Sequence, residues 1–281
     1  MNNAFSLAHL TVLGCSPPEM TYIAARAGYD YVSFRLIPLW TPGEPAYLPE
    51  DKFLMKKTKA ALADTGVKLL DLELARILPD KDPRDYLPAM EMAAELGARH
   101  VISSAWTSDR ADRDFIVERF GQICDQAKAF GLTVELEFPS FSRLINLAEA
   151  ADIVRAANRP NAGILIDMLY MHFSRVSLAE LAALPSQWFH IAHLCDANAD
   201  VPATRDAMVH VARDARLYVG EGSIDIAAIL DHMPPVPYSI ELPHKARVQE
   251  IGYEDHARRC LETAKRYLAE HSTRPAVKAS A

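Results

Sequence analysis

Four polar side chains stand at the ends of apolar, strand-like runs. The runs read TVELEFPS, AGILIDM, WFHIAHLC and PYSIELP, and the polar residues in question are Glu137, Asp167, His193 and Glu241. Burying three carboxylates and an imidazole separately is costly unless something neutralises them. One divalent cation bound by all four would remove that cost, so the pattern predicts a metal site. A ligand set this rich in oxygen favours Mn²⁺, Mg²⁺ or Co²⁺ over thiolate-bound zinc.

A barrel of alternating strands and helices would allow these distant residues to meet. Apolar runs predict eight strands, at 5–13, 30–36, 67–75, 99–105, 132–138, 162–167, 188–195 and 237–242. Amphipathic segments predict helices near 17–27, 50–65, 83–97, 112–130, 147–157, 177–184, 223–231 and 253–270, with a short one near 204–213. Eight strand–helix units averaging about 35 residues fit an α/β protein with a single-domain (β/α)8 TIM barrel. An open doubly wound sheet is the alternative, but no early strand is followed by a glycine-rich phosphate loop.

The predicted barrel covers residues 1–271, and the small, polar segment 272–281 is predicted to be a disordered tail. The four quartet residues then end strands five to eight, which are neighbours. Side chains at the carboxyl ends of barrel strands form the active site in this architecture. The quartet can therefore converge, although its members are far apart in sequence.

Composition and charge restrict the partners of the protein. The chain has 281 residues with 30 basic against 37 acidic side chains, a net charge of −7, which disfavours a nucleic-acid partner. The four cysteines include no CxxC pair, which favours a reducing, cytoplasmic compartment. The N-terminus does not resemble a signal peptide, and no apolar run is long enough to predict a membrane span.

Strand periodicity separates neighbouring candidates. His190 and His193 are three residues apart and face opposite sides of a strand, so only one can enter the barrel. The terminal position favours His193, and His190 is predicted to pack or hydrogen-bond against a helix. Glu135 and Glu137 share a face. Glu135 is predicted to be a hydrogen-bonded structural acid lower in the barrel, and the alternative is that it supports a metal ligand.

A resemblance to a known family rests on three motifs. The string from Arg213 to Asp225, RDARLYVGEGSID, is similar to the "R..RL.pGeG.ldl" segment of the sugar phosphate isomerase/epimerase family, which has a xylose-isomerase-like barrel. The string HLCD at 193–196 resembles the "(Q/H)-x-x-D" of its strand seven, and Glu241 resembles its final ligand. The resemblance extends from the first strand to about Leu268 and is more specific for the superfamily than for a substrate.

The resemblance implies a role for each matched residue. Glu137, Asp167, His193 and Glu241 would be the metal ligands, Arg216 would bind substrate, and the protein could form a homo-oligomer. The chain also departs from the family pattern. Tyr170 stands where the family often has the histidine of Asp-x-x-His, with His172 as a candidate replacement, and both are predicted to contact the substrate. Phe173 stands where relatives often carry an arginine. These departures bear on which substrate the protein takes, whereas the four residues of the metal quartet match the family pattern.

Three further residues are candidates for substrate contacts. Glu73 lies near the end of strand three. Arg35 ends strand two and could bind a carboxylate or phosphate, with a salt bridge inside the barrel as the alternative. Trp106 follows strand four and could stack on a sugar, although packing is the commoner role of an aromatic side chain there.

The leading functional hypothesis is proton transfer next to a carbonyl group of a sugar or polyhydroxy keto compound. The cation would stabilise an enediolate, with Glu137 and Glu241 as acid and base. Elimination of a hydroxyl from the same intermediate would give a dehydratase of a keto-inositol or dehydroshikimate-like compound. Endonuclease activity is disfavoured by the negative charge and the single histidine of the quartet, and binding without catalysis is disfavoured by the intact quartet.

Overall fold

Nine parallel β-strands form one sheet in a computed structural model that describes residues 3–108 and 112–271. The strands are β1 (Phe5–Leu7), β2 (Tyr31–Arg35), β3 (Lys68–Ile77), β4 (His100–Ala105), β5 (Thr133–Leu136), β6 (Ala162–Ile164), β7 (Ile166–Asp167), β8 (Ala192–Leu194) and β9 (Tyr238–Ile240). Neighbours in the sheet run β6-β5-β4-β3-β2-β1-β9-β8-β7. Because β6 and β7 are one run interrupted at Leu165, the sheet is a nearly closed barrel of eight strand positions, and the predicted TIM barrel is confirmed.

Ten α-helices surround the strands in the described part of the chain. They are α1 (Pro17–Ala27), α2 (Lys52–Thr65), α3 (Leu87–Glu95), α4 (Arg113–Ala129), α5 (Leu147–Ala157), α6 (Met168–Phe173), α7 (Leu178–Ala182), α8 (Arg205–Asp214), α9 (Ile226–Leu230) and α10 (Lys245–His271). None of the described helices is long and apolar enough to cross a membrane. The predicted tail at 272–281 lies outside the described residues, so the domain limits stay a prediction.

Local sequence signals explain where helices begin and end. Ser16 and Glu19 form a reciprocal capping box before α1, whose first residue is Pro17. Gly28 ends α1 with a φ of 91°, a left-handed conformation that glycine adopts without strain. These features match the predicted starts and stops of the first helix.

Three predicted elements differ from the structure. The apolar run at 5–13 is a three-residue strand followed by a 3-10 turn, His9–Val12, in which His9 binds the backbone of Arg35 and Cys15. Helix α10 begins at Lys245, earlier than predicted, and bends at Gly252, where φ is 77°. Helix α6 was not predicted, because its residues are apolar and almost all buried, so they lack an amphipathic period.

A small cluster fills the barrel below the quartet. It consists of Leu70, Ile102, Leu165 and Ile191, which are all at most 2% exposed. Leu165 and Ile191 precede Asp167 and His193 by two residues, so they point to the same side of their strands one layer lower. This apolar layer closes the barrel beneath the polar strand ends.

Glu135 occupies the opposite end of the barrel and is fully buried. It accepts hydrogen bonds from Thr133 at 2.6 Å and from His190 at 3.0 Å. Burial alone would raise the pKa of Glu135, but its hydrogen bonds with His100 and His190 outweigh burial and lower the pKa below the usual value. Glu135 is therefore the hydrogen-bonded structural acid that was expected. His190 is hydrogen-bonded, as predicted, but its partner is this strand residue inside the barrel and not a helix.

Gly163 explains how a buried glutamate fits inside the barrel. A Cβ atom at Gly163 would lie 2.1 Å from Oε2 of Glu135 and 2.7 Å from the carbonyl oxygen of Trp188. We expect Gly163→Ala to lower the free energy of unfolding by about 2 kcal/mol or more, because neither neighbour can move freely. Urea unfolding followed by circular dichroism measures this change.

Gly121 in α4 provides the control, because its added Cβ would lie no closer than 3.5 Å to the flexible side chain of Arg159. Gly121→Ala should leave the stability unchanged or raise it by up to about 1 kcal/mol. Equal stability of the two variants would contradict this account of the barrel interior.

Candidate metal centre

The four polar strand-end residues meet at the carboxyl end of the barrel. Glu137 follows β5, Asp167 ends β7, His193 lies in β8 and Glu241 follows β9. One potential ligand atom from each lies within 4.8 Å of all the others. All four side chains are buried, with exposures of 6%, 0%, 1% and 6%. The structure thus brings the predicted quartet together, and its use as a metal site stays a prediction.

Distances around His193 suit an ion between the side chains. Its Nδ1 lies 3.8 Å from Oε1 of Glu137, 3.8 Å from Oδ2 of Asp167 and 3.5 Å from Oε2 of Glu241. Two ligands bound at about 2.1 Å to one ion are about 3.0–3.4 Å apart. Small side-chain adjustments would therefore give a coordination shell.

Unpartnered atoms in the quartet test whether a cation fits. Oε1 of Glu137 and both ring nitrogens of His193 are buried and have no hydrogen-bond partner in the structure. Buried polar atoms normally have one, and leaving them without a partner costs free energy. Three carboxylates and an imidazole with free lone pairs fit a divalent cation.

The pKa values of the quartet also favour a bound cation. Burial raises the pKa of Glu137 well above its usual value, and the charges of Glu241 and Asp167 raise it further. Burial would lower the pKa of His193, but Glu241 and Asp167 outweigh it and raise that pKa well above the usual value. Both groups therefore keep their protons to a higher pH than usual when no cation is bound. A cation requires the ionised carboxylate and the neutral imidazole, so it must displace protons.

Arg216 lies directly against two members of the quartet. It is fully buried, and its guanidinium donates to Oδ2 of Asp167 at 2.8 Å and to Oε2 of Glu241 at 2.7 Å. Its Nε donates to the carbonyl oxygen of Ala212 at 3.0 Å, which fixes the direction of the group. These contacts orient one oxygen atom of each carboxylate. The substrate-binding role implied for Arg216 stays a prediction, and its described contacts are with Asp167 and Glu241.

Asp196 fixes the loop that follows Arg216. Its carboxylate accepts backbone N–H groups of Gly220 at 3.0 Å, Gly222 at 2.9 Å and Ile224 at 3.1 Å. A Cβ atom at Gly222 would lie 2.2 Å from the carbonyl oxygen of Ala197, so only glycine allows this approach. The anchoring role of Asp196 was not predicted, because the sequence shows the HLCD and GEG motifs without showing that they touch.

A cavity of about 270 Å³ adjoins the quartet and is lined in part by Glu137, His193 and Glu241. Four of the predicted substrate-contact residues also line it: Arg35, Glu73, Trp106 and Tyr170. Arg35 donates to Glu73 at 3.1 Å, so the expected alternative of a salt bridge is present as well. Trp106 donates through Nε1 to Ser104 at 2.7 Å and packs against Phe141 with ring centroids 6.0 Å apart.

His172 lies elsewhere. Its Nε2 is 3.0 Å from the carbonyl oxygen of Asn198, and it lines a second cavity of about 500 Å³ together with Arg175 and Asp225. The structure does not bring His172 to the quartet as a replacement for the family histidine. Tyr170 lies there instead, with its hydroxyl 3.5 Å from Nη2 of Arg216. The buried Phe173 belongs to the hydrophobic core.

Three arginines on the cavity wall were not predicted. Arg76 lies near the end of β3, and Arg205 and Arg213 lie on α8. The predicted third strand stopped at residue 75, so Arg76 was not recognised as a strand-end residue. Arg213 belongs to the motif that supports the family resemblance, but the motif alone gave it no role.

Comparisons with known proteins agree with this architecture. The model of a family described as xylose isomerase-like TIM barrel matches residues 22–269, and the chain belongs to this family. An inosose isomerase of Bacillus licheniformis is 23% identical over 87% of this chain and 90% of its own length. A 3-dehydroshikimate dehydratase of Pseudomonas aeruginosa is 24% identical over 80% of this chain but only 35% of its own length.

Among solved structures, the IolI protein with a bound zinc atom superposes with a TM-score of 0.78 at 18% identity. The match covers 96% of this chain and 100% of that one. At this identity the similarity supports the fold alone. The family and the barrel predicted from the sequence are both confirmed.

Metal titration tests the site. We expect the metal-free protein to bind one divalent cation per chain and to release at least one proton on binding, because the pKa values of Glu137 and His193 are raised in its absence. The apparent affinity should fall about tenfold per pH unit for each proton displaced as the pH decreases. Calorimetry in buffers of different ionisation enthalpy measures both quantities.

Two histidine variants make the titration specific. His193→Ala should weaken binding by more than about 100-fold, since it removes a ligand. His172→Ala should leave binding unchanged, because it lines the second cavity. Metal binding that does not depend on pH, or equal affinities of the two variants, would contradict the assignment of the quartet as the metal site.

Proposed function

We propose that this member of the xylose isomerase-like TIM barrel family is a divalent-metal-dependent isomerase or epimerase of a sugar or polyhydroxy keto compound. The observation that carries the proposal is that Glu137 and Glu241 belong both to the quartet and to the cavity wall. A bound cation would act as a Lewis acid that polarises a carbonyl oxygen and stabilises the negative charge of an enediolate.

The two glutamates are suited to move the proton. They reach the quartet from strand positions five and eight of the barrel, so they approach a bound molecule from different sides. Oε1 of Glu137 has no other partner, and Oε2 of Glu241 is held by Arg216. One glutamate takes the proton from the carbon next to the carbonyl, and the other delivers a proton to the neighbouring carbon or to the opposite face. Positioned acid–base groups contribute about 10²–10⁴-fold to a rate.

Aromatic side chains give the cavity a face for the carbon skeleton. The rings of Trp106 and Phe141 are 6.0 Å apart, and those of Phe141 and Tyr170 are 5.8 Å apart in an edge-to-face arrangement. All three line the cavity. They would pack against the C–H groups of a polyhydroxy compound and keep water from the proton that moves. Arg35 and Glu73 lie at the same cavity and would contact its oxygen atoms.

A dehydratase is the second candidate. The similarity to the 3-dehydroshikimate dehydratase of Pseudomonas aeruginosa favours it. The same intermediate would lose a hydroxyl group from the adjacent carbon instead of regaining a proton on one of its own carbons. Glu137 or Glu241 would then protonate the departing hydroxyl group, so both reactions would use the same residues.

The chemistry of the chain also supports a choice of metal ion, compartment and partner. The oxygen-rich ligand set supports Mn²⁺, Mg²⁺ or Co²⁺ as the ion. The acidic composition and the absence of paired cysteines support a cytoplasmic protein that does not bind nucleic acid. We also propose residues 1–271 as the barrel domain and a homo-oligomer as its assembly.

A proton-exchange screen tests the function. The metal-loaded protein is incubated in deuterated water with ketoses, keto-inositols and 3-dehydroshikimate, and the products are followed by NMR and ultraviolet absorbance. An isomerase should incorporate deuterium next to the carbonyl without loss of water, whereas a dehydratase should give an ultraviolet-absorbing product. Absence of metal-dependent exchange with every compound would contradict both candidates.

The two glutamates can be tested separately from metal binding. Glu137→Gln and Glu241→Gln should each lower kcat by about 10²-fold or more, because the amide cannot accept the proton. Metal content is measured for both variants, and rates are compared at saturating metal. Unchanged rates in both fully loaded variants would show that these residues are not the acid and base.

A further inference from the structure

Four guanidinium groups line the cavity beside the quartet. They belong to Arg35, Arg76, Arg205 and Arg213. The cavity measures only about 270 Å³, so these charges surround a space that fits a small molecule. A neutral sugar does not require such a concentration of positive charge.

Arg35 has unused hydrogen-bonding capacity inside the cavity. Its side chain is only 7% exposed, and one nitrogen, Nη2, donates to Glu73 at 3.1 Å. Its Nε and Nη1 are buried without any hydrogen-bond partner. Nη1 lies 3.7 Å from Oε2 of Glu44, which is too far for a hydrogen bond. Two nitrogens of this buried guanidinium therefore lack the acceptors that buried donors normally have. They lie on different edges of the group, and an anion that draws the side chain toward the cavity would give one of them a charged acceptor.

Arg76 and Arg213 add charge next to Arg35. Arg213 forms an ion pair with Glu44, and Arg76 donates to the carbonyl oxygen of Leu39 at 3.2 Å. Burial lowers the pKa of Arg76, and although nearby Tyr86 and Glu44 raise it, the charges of Arg35 and Arg213 lower it further. The charges of Arg35 and Arg213 therefore act on Arg76.

The nearby carboxylates do not balance this charge. Glu73 pairs with Arg35, and Glu44 pairs with Arg213 and lies near Arg35. Within residues 3–108 and 112–271, Arg76 and Arg205 have no carboxylate as an ion-pair partner. Glu241 is held by Arg216, and Glu137 faces the quartet. Glu73 and Glu44 thus pair with Arg35 and Arg213, while Arg76 and Arg205 have only backbone carbonyl oxygens as described hydrogen-bond acceptors.

We propose that the substrate carries an anionic group, a carboxylate or a phosphate, and that Arg35, Arg76 and Arg213 bind it. This inference rests on the proposed function, because the reacting carbonyl must lie at the quartet while the anion lies at the arginines. The shared cavity allows one small molecule to reach both. The arginines would thus select among polyhydroxy keto compounds by charge.

Matched pairs of compounds isolate the charge. One pair is 3-dehydroshikimate and its methyl ester, and the other is D-allulose 6-phosphate and D-allulose. Binding to the metal-loaded protein is measured by calorimetry, and turnover is measured by exchange in deuterated water. We expect the charged member of at least one pair to bind about tenfold or more tightly than its neutral partner. The pair that shows the larger ratio identifies a carboxylate or a phosphate.

Variants assign the preference to these side chains. Arg76→Gln and Arg213→Gln should each reduce the charged-to-neutral ratio about tenfold, while affinity for the neutral compound changes little. Both positions are partly exposed, and circular dichroism verifies that the variants fold. Arg266→Gln is the control, since Arg266 is exposed on α10 and does not line the cavity. Arg266→Gln should leave the charged-to-neutral binding ratio equal to that of the unmodified protein.

The binding measurement decides the inference independently of catalysis. Charge-dependent binding that is lost in the two variants supports the anion site even if none of the four compounds reacts, in which case only the proposed function is in question. Equal binding of charged and neutral compounds, or a charge preference that both variants retain, would overturn the inference.

Discussion

Charge balance at the carboxyl end of the barrel is the constraint on which the site depends. Glu137, Asp167 and Glu241 are brought within a few ångströms of one another by strand ends that cannot move apart. Arg216 compensates part of their charge through bonds of 2.8 and 2.7 Å, and His193 faces all three acids. Deeper in the barrel, burial and the charge of Glu73 raise the pKa of Asp71 to about 8, which keeps that acid from adding a further charge at neutral pH. A divalent cation would complete the balance.

The segment between β8 and β9 holds two of these carboxylates in position. Asp196 binds three backbone N–H groups of the loop that follows Arg216, and Arg216 in turn holds Asp167 and Glu241. This arrangement links a glycine-containing loop to the orientation of two carboxylates. The HLCD and GEG motifs therefore have a structural role. HLCD supplies the carboxylate of Asp196, and the glycines of GEG let the loop backbone come close to it.

The sequence predicted the barrel and the quartet because both follow from short-range patterns. A polar residue at the end of a buried apolar run is visible in one dimension, and neighbouring parallel strands bring such ends together. Tyr170 and His172 show where this reasoning fails. Two residues apart on α6, they are separated by about 200° around the helix axis, so only Tyr170 reaches the cavity. That helix lacks an amphipathic signal, and its phase could not be read from the sequence. The arginines of the cavity wall were missed for a related reason, since their proximity depends on how α8 packs over the strand ends.

The central claim is that the four strand-end residues hold one divalent cation. Anomalous diffraction from crystals of the protein soaked in Mn²⁺ tests this claim most directly. A single strong peak is expected between Glu137, Asp167, His193 and Glu241, at about 2.0–2.6 Å from an atom of each. A map without a peak at this position, or with the ion bound by other residues, would contradict the account.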